Sequence, residues 1–482
     1  MKHTPLSNSD LSMGREHRRL PFGSMTDKSM LMTILALAWP TMLEQFMQTA
    51  VQYIDTAMVG TLGTQATAAV GSTATVNWLI GSTISAVGVG FLSYIAKAQG
   101  ANQQKSARRA VSQAVLITVI LGIFFTIVTT SLSGLVPVWM QVEPAIRAMS
   151  SKYFLILYLP MLPRAASIIF GTVLRSAGDT KSPMKIGVFV NLINVALNFL
   201  LIYPVREISF LSLDFTLWGA GLGVIGAAIA SASAFTAGGI CITFVLWRHP
   251  RISPRGERFL PDLQILRPCM RVALPNMLQR FGTSLGYVAF AAMINSLGED
   301  STAAHTIANT VESAFYIPGF GMQTAAATLA GNAYGANDCR RMKNLASMFI
   351  PLEILLMIFS GACLFLSAPA LMGIFSANDT VIGLGSTVLR MVAVSEPFYG
   401  FSIIIEGFMM GVGRTKTPFI YNIIGMWMVR IAGTFLCTQL LGLNLISAWA
   451  CMIAHNLLLF VLFLICYLRG VWNPLEQKPE HA

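Results

Sequence analysis

Residues 178–183 read GDTKSP, and residues 413–418 read GRTKTP, 235 positions later. The same offset recurs on either side of this pair. Pro40 aligns with Pro275, Phe46 with Phe281, Leu62-Gly63 with Leu297-Gly298, and Thr75-Val76 with Thr310-Val311. Gly100-Ala101-Asn102 aligns with Gly335-Ala336-Asn337. One spacing held from Pro40 to Pro183 marks a tandem duplication, so the fold of one half predicts the fold of the other.

What is duplicated is apolar. Runs near 33–59, 68–97, 111–138, 152–174, 184–205 and 217–247 are followed by runs near 268–296, 303–333, 345–370, 385–411, 418–441 and 445–468. A hydrocarbon core takes about 20 apolar residues to cross. Of the 482 residues, 55% are hydrophobic and 11% charged, against about 25% charged in a soluble domain. The expected architecture is an all-α integral membrane protein with twelve transmembrane helices. Six spans per half is an even number, so both halves insert in the same sense and form a parallel repeat around a central cleft. The expected divisions are a tail at 1–30, an N-terminal lobe at 31–247, a linker at 248–267, a C-terminal lobe at 268–470 and a tail at 471–482.

A net charge of +11 would suit a nucleic-acid partner, but the basic residues lie in short segments between apolar runs. Twenty-five of them, from Lys2 and Arg15 through the arginines of the linker to Arg469 and Lys478, fall on one side, and only Arg147, Lys152 and Arg206 on the other. The expectation is therefore no nucleic acid and both termini in the cytoplasm. The first 30 residues are polar and basic, with no cleavable signal expected. Cys241, Cys269, Cys339, Cys363, Cys437, Cys451 and Cys466 are scattered without a CxxC pair, and the six histidines show no metal spacing. The cysteines read as small packing residues, His305 and His455 as structural hydrogen-bonders, and no metal or cofactor is expected.

Polar residues inside a span are costly, so their placement is informative. In PTMLEQFMQTAVQYIDTAMVG, residues 40–60, a turn of roughly 100° per residue puts Thr41, Glu44, Gln48, Gln52 and Asp55 on one stripe. Such a stripe faces the bundle interior or a water-filled cavity rather than lipid. Asp55, and secondarily Glu44, are the candidates to bind a coupling cation, and Pro40 offers a bend in the same helix. Asn191, Asn194 and Asn198 share a face further on and, with Gln48, Gln52 and Glu396, are candidates to line the substrate cleft. Arg164, Arg280, Glu312, Glu353, Arg390, Glu406 and Arg430 also fall in or near spans, where some pair across helices. Gly221-x-Gly223-x-x-Gly226 follows no predicted strand and reads as close helix packing rather than a dinucleotide site. The 26 methionines and 29 phenylalanines suit both a deformable cleft and a lipid-facing surface.

At this point the chain resembles the multidrug and toxic compound extrusion (MATE) family. The resemblance rests on Tyr53-Ile54-Asp55-Thr56, Val59-Gly60-Thr61-Leu62-Gly63, Ala96-Lys97-Ala98-Gln99-Gly100-Ala101, and Arg175 through Pro183 with its echo in the second half. It covers about 30 to 470. It implies a V-shaped twelve-helix exporter driven by inward H⁺ or Na⁺ flow, with lipophilic or cationic small molecules as substrates. It further implies a monomer in a cell membrane, with a bacterial inner membrane the expected location. Asp55 matches the family's acidic residue of the first helix, and Pro40 its bending proline.

Two departures stand out. One branch of the family has an Asn and, four residues on, an Asp in helix five, where this chain has Asn194 and Asn198. The other has a Glu in helix seven and an Asp in helix ten, near Thr283 and Tyr399 here, with Glu396 one turn earlier. The expected coupling site is therefore Asp55 in the N-terminal half, with H⁺ favoured. The alternative within transport is a lipid-linked saccharide flippase, which would need basic side chains around a pyrophosphate; Arg164 and Arg280 are the candidates for that. A membrane-embedded enzyme is not expected, since the spans carry no HExxH and no second aspartate facing Asp55.

Overall fold

The computed structural model describes residues 27–140, 142–210 and 213–476. Lys2, Arg15, Arg18, Arg19 and Lys478, which the sequence places in the tails, lie outside the described residues, as does the side chain of Arg206. The first half runs α1 (Asp27–Gly60), α2 (Thr64–Gly100), α3 (Gln104–Leu132), the single-turn α4 (Val136–Trp139), α5 (Pro144–Tyr158), α6 (Met161–Ser176) and α7 (Lys181–Leu201). An antiparallel hairpin, β1 (Pro204–Phe210) and β2 (Leu213–Ala220), leads into α8 (Gly223–Arg248). The second half runs α9 (Leu263–Asn295), α10 (Glu299–Gly335), α11 (Cys339–Phe375), α12 (Asp379–Gly411), α13 (Lys416–Ile424), α14 (Ala432–Phe435) and α15 (Leu445–Leu468). Two π-helical stretches, Gly425–Ile431 and Leu436–Leu440, flank α14 and make one continuous rod with α13.

Among the described residues, with α5–α6 and the α13–α14 rod each counted once and the single-turn α4 left aside, there are twelve rods, six in each half. Among the described residues nine are long and apolar enough to cross a membrane, and the α5–α6 pair, bent by 53°, is a tenth. The remaining two, α9 and α10, are 33 and 37 residues long. They fall short in hydropathy because Asn276, Gln279, Glu312, Gln323 and Asn332 are buried inside the bundle rather than shown to lipid. The α5–α6 bend lies where Pro160 and Pro163 remove helical hydrogen bonds three residues apart.

The duplication is visible in the backbone. Thr64, Gln104, Pro144 and Lys181 open helices whose counterparts open at Glu299, Cys339, Asp379 and Lys416. Left-handed turns repeat too: Gly63 and Gly298 have φ of 105° and 100°, Asn102 and Asn337 of 57° and 56°, and Gly178 and Gly413 of 86° and 78°.

The expected sixth span beginning at 217 needs correction: residues 213–220 are strand, and the helix starts at Gly223. Pro204 interrupts the helical hydrogen bonding of α7, and a sequence carrying Arg206, Glu207 and Asp214 so close together is costly to place in hydrocarbon. The glycine reading is corrected with it. Gly221 and Gly223 have φ of 63° and 55° and form the turn out of the hairpin. Only Gly226 makes a close helix contact, where a Cβ would stand 2.4 Å from the carbonyl oxygen of Leu201.

Two cores build up around these rods, and they exchange members. Met30, Ile34, Leu37 and Ala38, at the start of α1, are buried in the core of the C-terminal half with Met322, Leu329, Phe349 and Phe408. Ile265 and Cys269, their equivalents on α9, are buried in the core of the N-terminal half with Phe91, Ile95 and Phe170. Just beyond Pro40, Thr41 still donates to the carbonyl of Gly321 in the C-terminal half at 2.9 Å, whereas Glu44 and Asp55 of the same stripe bond within the N-terminal half. Each half is thus held by the first turns of the other's leading helix.

Candidate cation-coupling site

The polar stripe of α1 meets α6, α7 and α8. Near its start, Glu44 is bound by both carboxylate oxygens to Arg175, in the last turn of α6: Nη1 donates to Oε1 at 2.9 Å and to Oε2 at 2.7 Å. The pair is largely enclosed, with side-chain exposures of 11% and 17%. Sequence reasoning counted Arg175 with the loop charges, so this partner of Glu44 was missed. It satisfies Glu44 within the protein and leaves Asp55 as the acidic group of the stripe whose partners are all neutral.

Three turns further along, half-buried Asp55 accepts a hydrogen bond from Asn198 Nδ2 of α7 at 2.5 Å. Asn194, one turn before Asn198, brings its amide to the same carboxylate: with the nitrogen assigned to the inward position, because an amide oxygen there would face only acceptors, that nitrogen stands 2.7 Å from Oδ1 and 3.2 Å from Oδ2. In that orientation its oxygen accepts from Ser231 Oγ of α8 at 3.0 Å. Asn194 and Asn198 are 4% and 1% exposed. The arrangement is one carboxylate at the junction of three helices, faced by two amide nitrogens and backed by a hydroxyl. The spacing of four in α7 puts both amides on one face, as the sequence predicts. Sequence alone does not single out Ser231, because the two serines of GAAIASASAFTAGG, two residues apart, carry no helical period.

Asn191 is buried on the same side of α7, whereas Gln48 and Gln52 are exposed along α1. Arg164 does not reach this network: its Nη2 donates to Asn77 Oδ1 at 2.6 Å, and its guanidinium lies over the rings of Tyr158 and Phe235. Across the molecule, Tyr53 of α1 donates to the carbonyl of Thr310 at 2.8 Å, and Trp78 of α2 donates to Ser284 Oγ at 2.9 Å. These join the halves away from the basic end.

Glu396 is not brought to Asp55. It lies inside the C-terminal half, 2% exposed, with its Cβ 3.7 Å from where a Cβ on Gly361 of α11 would stand. Glu353 and Glu312, 0% and 6% exposed, are buried in the same half. Glycines make the room: a Cβ on Gly319 of α10 would stand 2.5 Å from Glu353 Oε1, and one on Gly400 of α12 3.2 Å from its Cγ. Arg430, in the first π-helical stretch, packs over Tyr287 and Phe290 at 4.8 and 4.2 Å. Gln279 donates to Glu406 Oε1 at 2.7 Å, and Arg280 to Asn276 Oδ1 at 3.0 Å. His305 sits edge-on between Phe290 and Trp449.

Comparison with known proteins adds to this geometry. A probable multidrug resistance protein NorM of Thermotoga maritima is 26% identical over 441 residues, 91% of this chain and 92% of that protein. A crystal structure of MATE in the straight conformation superposes with a TM-score of 0.85 at 22% identity, covering 96% of this chain and 100% of the other. A MOP superfamily transporter from Pyrococcus furiosus, described as having a binding pocket of reverse polarity, gives 0.84 at 21% identity, covering 96% and 99%. These structures show the fold: two parallel six-helix halves about a V-shaped cleft. The model of the MatE family matches residues 40–200 and again 275–436, so its two matches begin at Pro40 and Pro275, the first aligned pair of the duplication. With both halves matched over most of their length, this chain belongs to the MatE family.

Proposed function

We propose that this protein is a secondary active antiporter that exports lipophilic or cationic compounds in exchange for H⁺ or Na⁺ by alternating access. The observation that carries the proposal is the Asp55–Asn194–Asn198–Ser231 network at the meeting of α1, α7 and α8. The names of relatives, multidrug resistance proteins among them, support export of varied small molecules. The excess of basic residues on one side supports cytoplasmic termini, and a monomer in a bacterial cell membrane is the corresponding setting.

H⁺ is the favoured ion. A sodium ion beside Asp55 would need oxygen ligands turned towards it, whereas Asn198 donates its amide N–H to the carboxylate and Asn194, with its nitrogen assigned inward, is a second donor. A proton on Asp55 removes the charge these amides are drawn to and weakens the tie between α1 and α7. A conformation in which that tie is broken is then favoured by the proton, and one in which it is intact by a cationic substrate nearby. Opposed binding of proton and substrate is what antiport requires. Pro40, fifteen residues before Asp55, leaves one backbone bond of α1 unmade and is where the helix can bend. The flippase alternative needs free guanidinium groups, and Arg164 and Arg280 each donate to an asparagine amide, half-buried Asn77 and buried Asn276.

The test is dye efflux from proteoliposomes holding wild type or Asp55→Asn, with proton and sodium gradients imposed separately. The expected outcome is efflux driven by the proton gradient and reduced at least about tenfold in Asp55→Asn, the scale of a lost charge-assisted hydrogen bond of ~1.5–3 kcal/mol. Efflux that persists in the variant would remove Asp55 from the mechanism.

A further inference from the structure

The N-terminal half ends on its basic face in a cavity of about 580 Å³ lined by Arg108, Trp247, Arg248, His249, Ser253 and Arg255. Its walls are fixed locally. His249 leaves α8 in an extended conformation, and its Nδ1 accepts the backbone N–H groups of Arg251 and Ile252 at 3.3 Å each. The imidazole therefore keeps its proton on Nε2, as a donor. Burial holds His249 below the usual histidine range, with Arg251 acting in the same sense and Asp179 opposing. Arg108, at the start of the second turn of α3, donates to the carbonyls of Arg251 at 3.1 Å and Pro250 at 3.4 Å. Ser253 donates to the carbonyl of Trp247 at 2.7 Å.

The lining thus brings together three guanidinium groups, an imidazole N–H and no carboxylate among the described residues. The acids nearby are otherwise placed: Asp179 Oδ1 accepts from the backbone of Ser182 at 3.0 Å, and Glu257 sits in the next turn of the linker. Among the described residues the lining holds three like charges and no carboxylate, and Asp179 is the acid whose field reaches His249.

The rim identifies the anion. Arg248 lies over the ring of Phe244 at 4.1 Å. Phe244 and Ile240, one and two turns back along α8, are 55% and 63% exposed and make a stripe on the membrane-facing side of that helix. Further along the chain, the linker shows Phe259, Leu260 and Leu263, 45%, 68% and 75% exposed, interleaved with exposed Arg258. Arginines next to exposed aromatic and aliphatic side chains are a combination that suits a membrane interface. A free anion in water would find the charges but have no use for the apolar rim.

We propose that this cavity binds the phosphate headgroup of an anionic phospholipid from the leaflet on the basic face. The acyl chains run along Ile240 and Phe244, and the phosphate is shared by Arg248, Arg255 and Arg108, with the His249 Nε2–H as a further donor. The site is separate from the Asp55 network and does not depend on the transport reading.

The test uses the full chain in detergent and native mass spectrometry to measure retention of dihexanoyl phosphatidylglycerol. Dihexanoyl phosphatidylcholine and inorganic phosphate are the comparison ligands. Wild type should retain phosphatidylglycerol over phosphatidylcholine, and Arg248→Gln/Arg255→Gln should weaken it ~fivefold per arginine. Lys181→Gln/Lys185→Gln, an equal charge loss elsewhere on this face, should leave it unchanged. If the double variant melts below wild type, Arg255→Gln alone, at an exposed side chain, carries the comparison. Equal losses in both double variants, or inorganic phosphate displacing the lipid as well as a second lipid does, would overturn the proposal.

Discussion

Two carboxylates on one face of α1 have different partners, and the difference decides what each can do. Glu44 has a cation of the protein to itself; Asp55 has only amides and, behind them, a hydroxyl. Glu44→Gln leaves Arg175 enclosed without its counter-charge and should cost about 2–3 kcal/mol, less than the ~3–5 kcal/mol of fully buried pairs because both side chains keep some solvent contact. We expect a lower melting temperature in detergent with proton-driven efflux retained, the reverse of the pattern for Asp55→Asn. Efflux lost in Glu44→Gln at unchanged melting temperature would assign Glu44 to coupling instead. From sequence, the helical period places Asp55 and the two asparagines, because a single helix face is a local property. Arg175 and Ser231 come from helices whose rotation about their own axes is set only by packing, and no spacing in one chain reports that.

At the scale of the element, buried acids require space that neighbouring helices must leave. Gly319→Ala puts a methyl group 2.5 Å from the present position of Glu353 Oε1, and overpacking of this kind costs ~1–3 kcal/mol. The loss should fall in the double variant with Glu353→Ala, which a double-mutant cycle of melting temperatures would show as coupling between the two sites. Additive losses would mean that Met357, whose methyl also meets that position, bears the strain instead. Elements were legible where their residues were uniformly apolar. The hairpin at 204–220 was read partly as helix because Trp218 and its apolar neighbours continue into α8 without a change in hydropathy. The proline-broken α5–α6 was read as one span, since a bend changes neither length nor composition.

The whole molecule is closed at its basic end by one contact made twice. A Cβ on Gly100 would stand 2.0 Å from the carbonyl oxygen of Asn332, and one on Gly335 2.0 Å from that of Lys97. These are equivalent positions of α2 and α10, so the two helices cross where the halves' pseudo-symmetry axis passes. Gly100→Ala/Gly335→Ala should wedge the halves apart there. Cys269, 1% exposed against α2, is a native reporter. With the other six cysteines replaced by serine, maleimide labelling of Cys269 should be faster in the double alanine variant by about tenfold. Unchanged labelling would mean that this crossing does not control access from the basic end. The repeat offset predicted that the halves are alike, but it could not show that their leading helices trade places in the cores.

That exchange bears on how the protein is made. When the ribosome has delivered only the first six spans, the core around Phe91 and Ile95 still lacks Ile265 and Cys269, and the opening turns of α1 have no core of their own to enter. The N-terminal half therefore waits in the bilayer as an incomplete bundle until α9 is inserted, and assembly finishes only as the later spans arrive. Two separately expressed halves should each be short-lived alone and be rescued by co-expression, because each supplies a strut that the other is missing.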